Sequence, residues 1–125
     1  MGPREVIGRP DGAAPADEHV IVAGIDHLGL RTIEELRRRD EQVVAIAAEG
    51  AGAPPDATAA ALTGVPLVRG DVRSEATLRA ADITTATAIV FTADDDLGNV
   101  HAALAAQELR PGIRIVVRLF VQELG

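Results

Sequence analysis

One stretch, His19–Leu30 (HVIVAGIDHLGL), constrains this chain more than any other. Val20, Ile21, Val22 and Ala23 form a short apolar run that ends at Gly24, and an apolar spacing of helical period begins just beyond Gly29. That is a strand, a tight turn and a helix. In an open α/β sheet such a junction aims free backbone N–H groups and the positive helix end at one point, where a phosphate is stabilised. The turn that does this reads G-x-G-x-x-G: one glycine for the turn, one for close backbone approach, one for helix–sheet packing. Here it reads G-x-D-x-x-G, with Gly24, Asp26 and Gly29. The outer glycines are present and the middle one is an acid.

The rest of the chain repeats the alternation. Strand one covers about 19–24, and the first helix about 28–39, with Leu30, Ile33 and Leu36 on its inward stripe. Arg37, Arg38 and Arg39 fall in its last turn, where cations complement the helix dipole. Strand two is Gln42–Ala47, a continuous apolar run of the kind a central parallel strand shows. Residues 48–64 begin as a Gly/Pro loop, after which Asp56 can cap a short alanine-rich helix ending at Gly64. Strand three is about Val65–Arg69, followed by Gly70-Asp71, with Ser74 as N-cap of a helix over about 75–81. Strand four is Ala88–Thr92, followed by Asp94, Asp95 and Asp96 and a helix to about Leu109. Pro111-Gly112 stops that helix, and strand five is Ile113–Phe120.

Five strands alternating with helices define an α/β fold with right-handed crossovers: a Rossmann-like, doubly wound parallel sheet of order 3-2-1-4-5. The ligand crevice is expected at the carboxyl ends of strands one and four. Residues 1–18, with Pro3, Pro10 and Pro15, read as a linker or lead-in, and 19–125 as the folded domain.

Composition removes several classes of function. Of the 125 residues 47% are hydrophobic but only 2% aromatic, which suits close helix–sheet packing and argues against a base-stacking platform. The net charge of −7 argues against attraction to nucleic acid, so no nucleic-acid partner is expected. The absence of cysteine excludes disulfides, thiolate metal sites and cysteine catalysis. No apolar run approaches the ~20 residues that span a bilayer. These features point to a soluble, cytoplasmic domain, and are compatible with a piece of a larger membrane protein.

The residues able to carry chemistry cluster at the expected crevice. Asp26 adds charge and bulk where a phosphate would approach; alternatively it caps the helix, or pairs with His27 or a bound cation. The acid that takes ribose hydroxyls at the end of strand two is replaced by Ala47, with Glu49 two residues on as a substitute reaching from the loop. Asp71 accepts from an adenine amino group or caps the next helix. Thr92 ends strand four beside the opening. Asp94–Asp96 either hold a hard cation or load a helix N-terminus. Arg118, inside an apolar strand, needs a partner: a phosphate, Asp94 or a neighbouring subunit. His19, His27 and His101 are scattered, and no nucleophile–base pair is visible, so no enzyme and no dedicated metal site is expected.

HVIVAGIDHLGLRTIEEL, VPLVRGDVRSEATLRAADI, AIVFTADDDLGNVHAALAAQEL and IRIVVRLF, in this order and spacing, resemble the RCK N-terminal (TrkA-N) domain. The resemblance covers about residues 19–121. It implies a non-enzymatic regulatory domain at the cytoplasmic face of a potassium channel or transporter, sensing NAD(H), an adenine nucleotide or a cation. Its partners would be a membrane-embedded transport subunit and like domains in a homodimer or larger ring. By matching positions, the phosphate turn would be Gly24, Ile25, Asp26, His27, Leu28 and Gly29; Asp71 would face adenine, Thr92 and Ala93 the crevice, and Arg118 its floor. Asp26 and Ala47 depart from the family pattern, which leaves two other readings: a degenerate assembly module of the same family, or a fragment of an NAD(P)-dependent reductase or epimerase. The family's domain usually continues into a further strand and a crossover helix used in dimerisation, so the chain is expected to be a fragment.

Overall fold

A computed structural model describes residues 18–48, 62–93 and 95–117. Its elements are β1 (Val20–Ala23), α1 (His27–Arg38), β2 (Val43–Ala47), β3 (Leu67–Arg69), α2 (Glu75–Ala80), a 3-10 turn (Ile83–Thr85), β4 (Ala88–Phe91), α3 (Asp96–Leu109) and β5 (Arg114–Val117). The five strands form one sheet in the order β3-β2-β1-β4-β5, every pair parallel. This is the Rossmann-like order expected from the alternation. The helix proposed before Gly64, and the last residues of strand five including Arg118, lie outside the described residues, as do Glu49 and Asp94.

Each central strand is buried on both sides, which is why β1 and β2 read as unbroken apolar runs. Successive side chains still alternate between faces. Ile21, Ala23, Val44, Ile46, Ile89 and Phe91 meet Leu78 of α2 and Ala102 and Ala106 of α3. Val20, Val22, Val43, Ala45 and Ala88 meet Ile33 of α1 on the other face. The small residues of α3 let it lie close to the sheet, and Phe91 is the largest side chain fully buried there. β1 therefore has β2 on one side and β4 on the other, with α1 and α3 on opposite faces. Where the winding direction reverses, the two connections leave the sheet on opposite sides and a crevice opens between them.

The helix ends have identifiable causes. α1 stops where Asp40 takes a left-handed conformation (φ 62), with its N–H on the Arg37 carbonyl (3.0 Å) and the Glu41 N–H on the Leu36 carbonyl (3.0 Å). This is a Schellman closure built on aspartate rather than glycine. Arg38 and Arg39 meet Glu35 on the exposed side (2.9 and 3.3 Å). Ser74 occupies the N-cap of α2 as expected, but its side chain makes no capping bond. His19 is not the unpartnered histidine its isolation suggested. It is fully buried, and its Nε2 lies 2.9 Å from the Ala81 carbonyl. A carbonyl only accepts, so Nε2 carries the proton and ties β1 to the end of α2.

Candidate functional site

Parallel packing in register places Ala23 beside Phe91, so Gly24 and Thr92 leave the sheet side by side. Gly24 has φ 131, a conformation that L side chains rarely adopt, and a Cβ there would collide with the Thr92 hydroxyl. A Cβ on Gly29 would run into the Gly24 carbonyl. Both outer glycines of the turn are thus required by contact: one for the bend, the other because α1 starts against the strand it has just left.

Asp26 resolves into one of the roles open to it. It is the N-cap of α1, and its Oδ1 accepts from the Gly29 N–H (2.8 Å) and from the Thr92 hydroxyl (3.0 Å). The Thr92 hydroxyl also lies 3.4 Å from the Ala23 carbonyl, and Thr92 is buried. One carboxylate oxygen therefore joins the start of α1 to the end of β4 across the crevice. His27 and Leu28, the first residues of α1, are exposed, and Ile25 is half-buried.

α3 begins in the same way. Asp95 is its N-cap, and its Oδ1 accepts from the Gly98 N–H (3.0 Å). Asp26-His27-Leu28-Gly29 and Asp95-Asp96-Leu97-Gly98 are thus two copies of one capping device, D-x-x-G, on the two helices that start at the crevice. Of the two roles open to this acidic run, Asp95 and Asp96 take the helix-loading one, as N-cap and first-turn acid of α3. Asn99, buried in the first turn of α3, donates from Nδ2 to the Ala93 carbonyl (2.9 Å) and holds the β4–α3 turn, which leaves Ala93 exposed at the rim.

Asp71 sits on the same edge of the sheet, after β3. It does not cap α2. Its carboxylate accepts from the Arg73 backbone N–H (2.9 Å) and meets the Arg73 guanidinium through Nε (3.1 Å) and Nη2 (3.0 Å). The Arg73 side-chain hydrogen bond, then its backbone one, hold the Asp71 carboxyl below its ordinary value. Arg73 is raised in turn, mainly by Asp71, with a weaker attraction from Asp95. Ala47 ends β2, is buried, and gives its carbonyl to the Gly70 N–H (2.9 Å).

The turn thus has the shape of a dinucleotide site without its chemistry at two points. The Gly29 N–H that a helix-bound phosphate would use is already given to a carboxylate, and Ala47 has no side-chain acceptor for ribose hydroxyls. Sequence spacing identified Asp26 and Thr92 separately and missed their bond. It also missed Asn99 as the holder of Ala93, although an Asn one turn after an acidic N-cap candidate, on a helix rich in alanine, was the available signal.

A parallel five-stranded sheet with its crevice between β1 and β4 defines the class: a Rossmann-like α/β domain. The TrkA-N domain model matches residues 20–123, and the chain belongs to that family. A protein of Methanothermus fervidus described as uncharacterized is 30% identical over 113 residues, covering 88% of this chain and 17% of its own length. The chain therefore spans about a sixth of that relative. Among solved structures, the TrkA-N domain of the inner membrane protein YbaL from Escherichia coli superimposes with a TM-score of 0.68 at 20% identity (81% of this chain, 72% of that one). The Kef C-terminal domain of Shewanella denitrificans, in an AMP-bound form, gives 0.66 at 18% (80% and 57%). The GsuK RCK domain gives 0.66 at 30% (85% and 22%). The GsuK channel bound to NAD gives 0.63 at 20% (87% and 18%).

Proposed function

We propose that this chain is a non-enzymatic, ligand-sensing domain of a potassium channel or transporter, acting at the inner face of the membrane within a larger protein or complex. The observation that carries the reading is the crevice itself, where the β1–α1 turn, Thr92, Ala93 and Asp71 lie along one edge of a parallel sheet. Its ligand carries an adenine group, as NAD(H), another adenine nucleotide or the nucleoside alone, at a site that Asp26 and Ala47 have altered. Residues Gly24–Gly29 would receive the ligand's central part, Asp71 its adenine end, and Thr92, Ala93 and Arg118 the remaining wall. Ligand binding would order these loops and change contacts with like domains and with the transport subunit. Leu97, Val100 and Leu104 support a second copy as neighbour: they lie three and four residues apart on α3, on one helix face, and all are exposed. No helix among the described residues is long and apolar enough to cross a membrane, so a pore would be supplied by another segment or chain.

Thermal unfolding with adenosine, AMP, ADP and NAD(H) tests this. A ligand at one hundred times its Kd stabilises the folded state by about 2.7 kcal/mol. Stabilisation by at least one of these is expected. Unchanged melting at millimolar concentration of all of them, with the protein folded, would remove the nucleotide-sensing reading. The Asp26 bonds favour one second reading, a degenerate module that serves assembly alone. It predicts association that nucleotide does not alter.

A further inference from the structure

Resting on the ligand-sensing reading, we infer that Asp26, held in place by Thr92, is a built-in anion that shuts the start of α1 to a ligand's phosphate, so that the crevice discriminates against dinucleotides in favour of the uncharged nucleoside. Three observations carry this. Asp26 Oδ1 takes the Gly29 N–H, one of the donors with which a helix start holds a phosphate. The same oxygen takes the Thr92 hydroxyl, so the carboxylate is tied to β4 as well as to its own helix and cannot swing aside without losing a partner 66 residues away. The turn is otherwise intact, with Gly24 at φ 131 and Gly29 against the Gly24 carbonyl, so it is the charge and bulk of Asp26 that separate this site from an open phosphate turn. A phosphate placed there would meet a like charge at a few ångströms and find the N–H already used. α3 is no alternative berth, because Asp95 closes it with the same bond.

Thr92 is a positioning residue in this scheme. It acts through Asp26, and the loss of its hydroxyl should weaken discrimination without creating a new contact to the ligand.

The test is the ratio of NAD affinity to adenosine affinity, by calorimetry at fixed ionic strength. It is measured in the wild-type chain and in Asp26→Gly, Asp26→Ser, Asp26→Asn, Thr92→Val and Thr92→Ser. Serine is as good an N-cap as aspartate, so Asp26→Ser removes the charge and bulk while the helix stays capped, and it stands in if the glycine variant folds poorly. The ratio should rise at least about tenfold in Asp26→Gly and Asp26→Ser, as expected when both a like charge a few ångströms away and its bulk are removed. Asn keeps the shape without the charge and should give a smaller rise, as should Thr92→Val; Thr92→Ser, which keeps the hydroxyl, should restore the wild-type ratio. An unchanged ratio in both Asp26→Gly and Asp26→Ser overturns the inference, as does wild-type protein that binds NAD more tightly than adenosine. If adenosine binds and the ratio does not move, the inference fails and ligand sensing stands. If wild type binds none of the probes while Asp26→Ser binds NAD, the exclusion holds and ligand sensing gives way to assembly. If no variant binds any probe, both fail.

Discussion

Gly29→Ala sets two effects of opposite sign against each other. Alanine in place of helical glycine ordinarily gains up to about 1 kcal/mol. Here the added Cβ would collide with the Gly24 carbonyl and reach 3.0 Å from Asp26 Oδ1. The carbonyl is backbone rather than the far end of a flexible side chain, and the peptide unit before it is pinned by the Gly24 N–H on the Ile46 carbonyl (2.9 Å). Relief must come from lifting α1 off the sheet, and Ile33, fully buried beneath it, loses contact as it moves. Overpacking of this kind costs about 1–3 kcal/mol, and rigid groups on both sides argue for the upper end. The net loss should be about 2 kcal/mol, a fall in Tm of roughly 8 °C for a domain of this size. Gly98→Ala is the control. It changes the equivalent position of α3, but its Cβ would meet the Asp95 carboxylate, a side chain that can turn aside. Loss of the cap, about 1 kcal/mol, then roughly cancels the gain in helix propensity. Thermal and urea unfolding followed by circular dichroism reads both. A Gly29→Ala protein as stable as wild type, or a Gly98→Ala protein that loses as much, would refute the close-approach argument.

Other outcomes follow from single contacts. Asn99→Leu keeps the branching at Cγ but strips the donor from the Ala93 carbonyl, and should cost about 1–3 kcal/mol, with faster amide exchange at the first turn of α3. His19→Leu leaves the Ala81 carbonyl without its Nε2 donor and should lower stability by a similar amount, about 1–3 kcal/mol, in denaturant titration. Phe91→Ala opens a cavity in the core and should cost about 3–5 kcal/mol with an unchanged urea m-value. The Asp71 carboxyl should titrate below 3.8 by NMR, and Arg73→Ala or high salt should move it back up. Because the folded value is depressed, the pair's stabilisation is present above the unfolded pKa and disappears as pH falls through the folded one. A midpoint unaffected by Arg73→Ala would show that the pair does not hold in solution.

Much of the fold was legible because its determinants are local or obey chirality. Apolar runs of strand length, glycine and proline stops, and helical periods over 27–38 and 96–109 depend on neighbours within a few residues. The strand order follows from right-handed crossovers, which need no side-chain detail. Boundaries moved by one or two residues at strand ends, where β3 starts at Leu67 and β4 ends at Phe91, while α2 starts after Ser74 as expected. The 3-10 turn at Ile83–Thr85 was not legible, since nothing in so short a segment sets a period.

By itself, then, the sequence determined the strand–turn–helix at 19–30, the order of the sheet, and the presence of an acid where an open phosphate turn has glycine. Only the tertiary structure decided what that acid does. Cap, ion-pair partner and cation ligand were all compatible with Asp26 as a letter in a string. The choice was made by Thr92, which is brought to Asp26 by the pairing of β1 with β4. His19 was settled in the same way by Ala81, 62 residues on. Backbone periodicity is written in near neighbours, but a hydrogen bond between distant side chains exists only after the sheet has closed the distance, and the meaning of this site lies in such bonds.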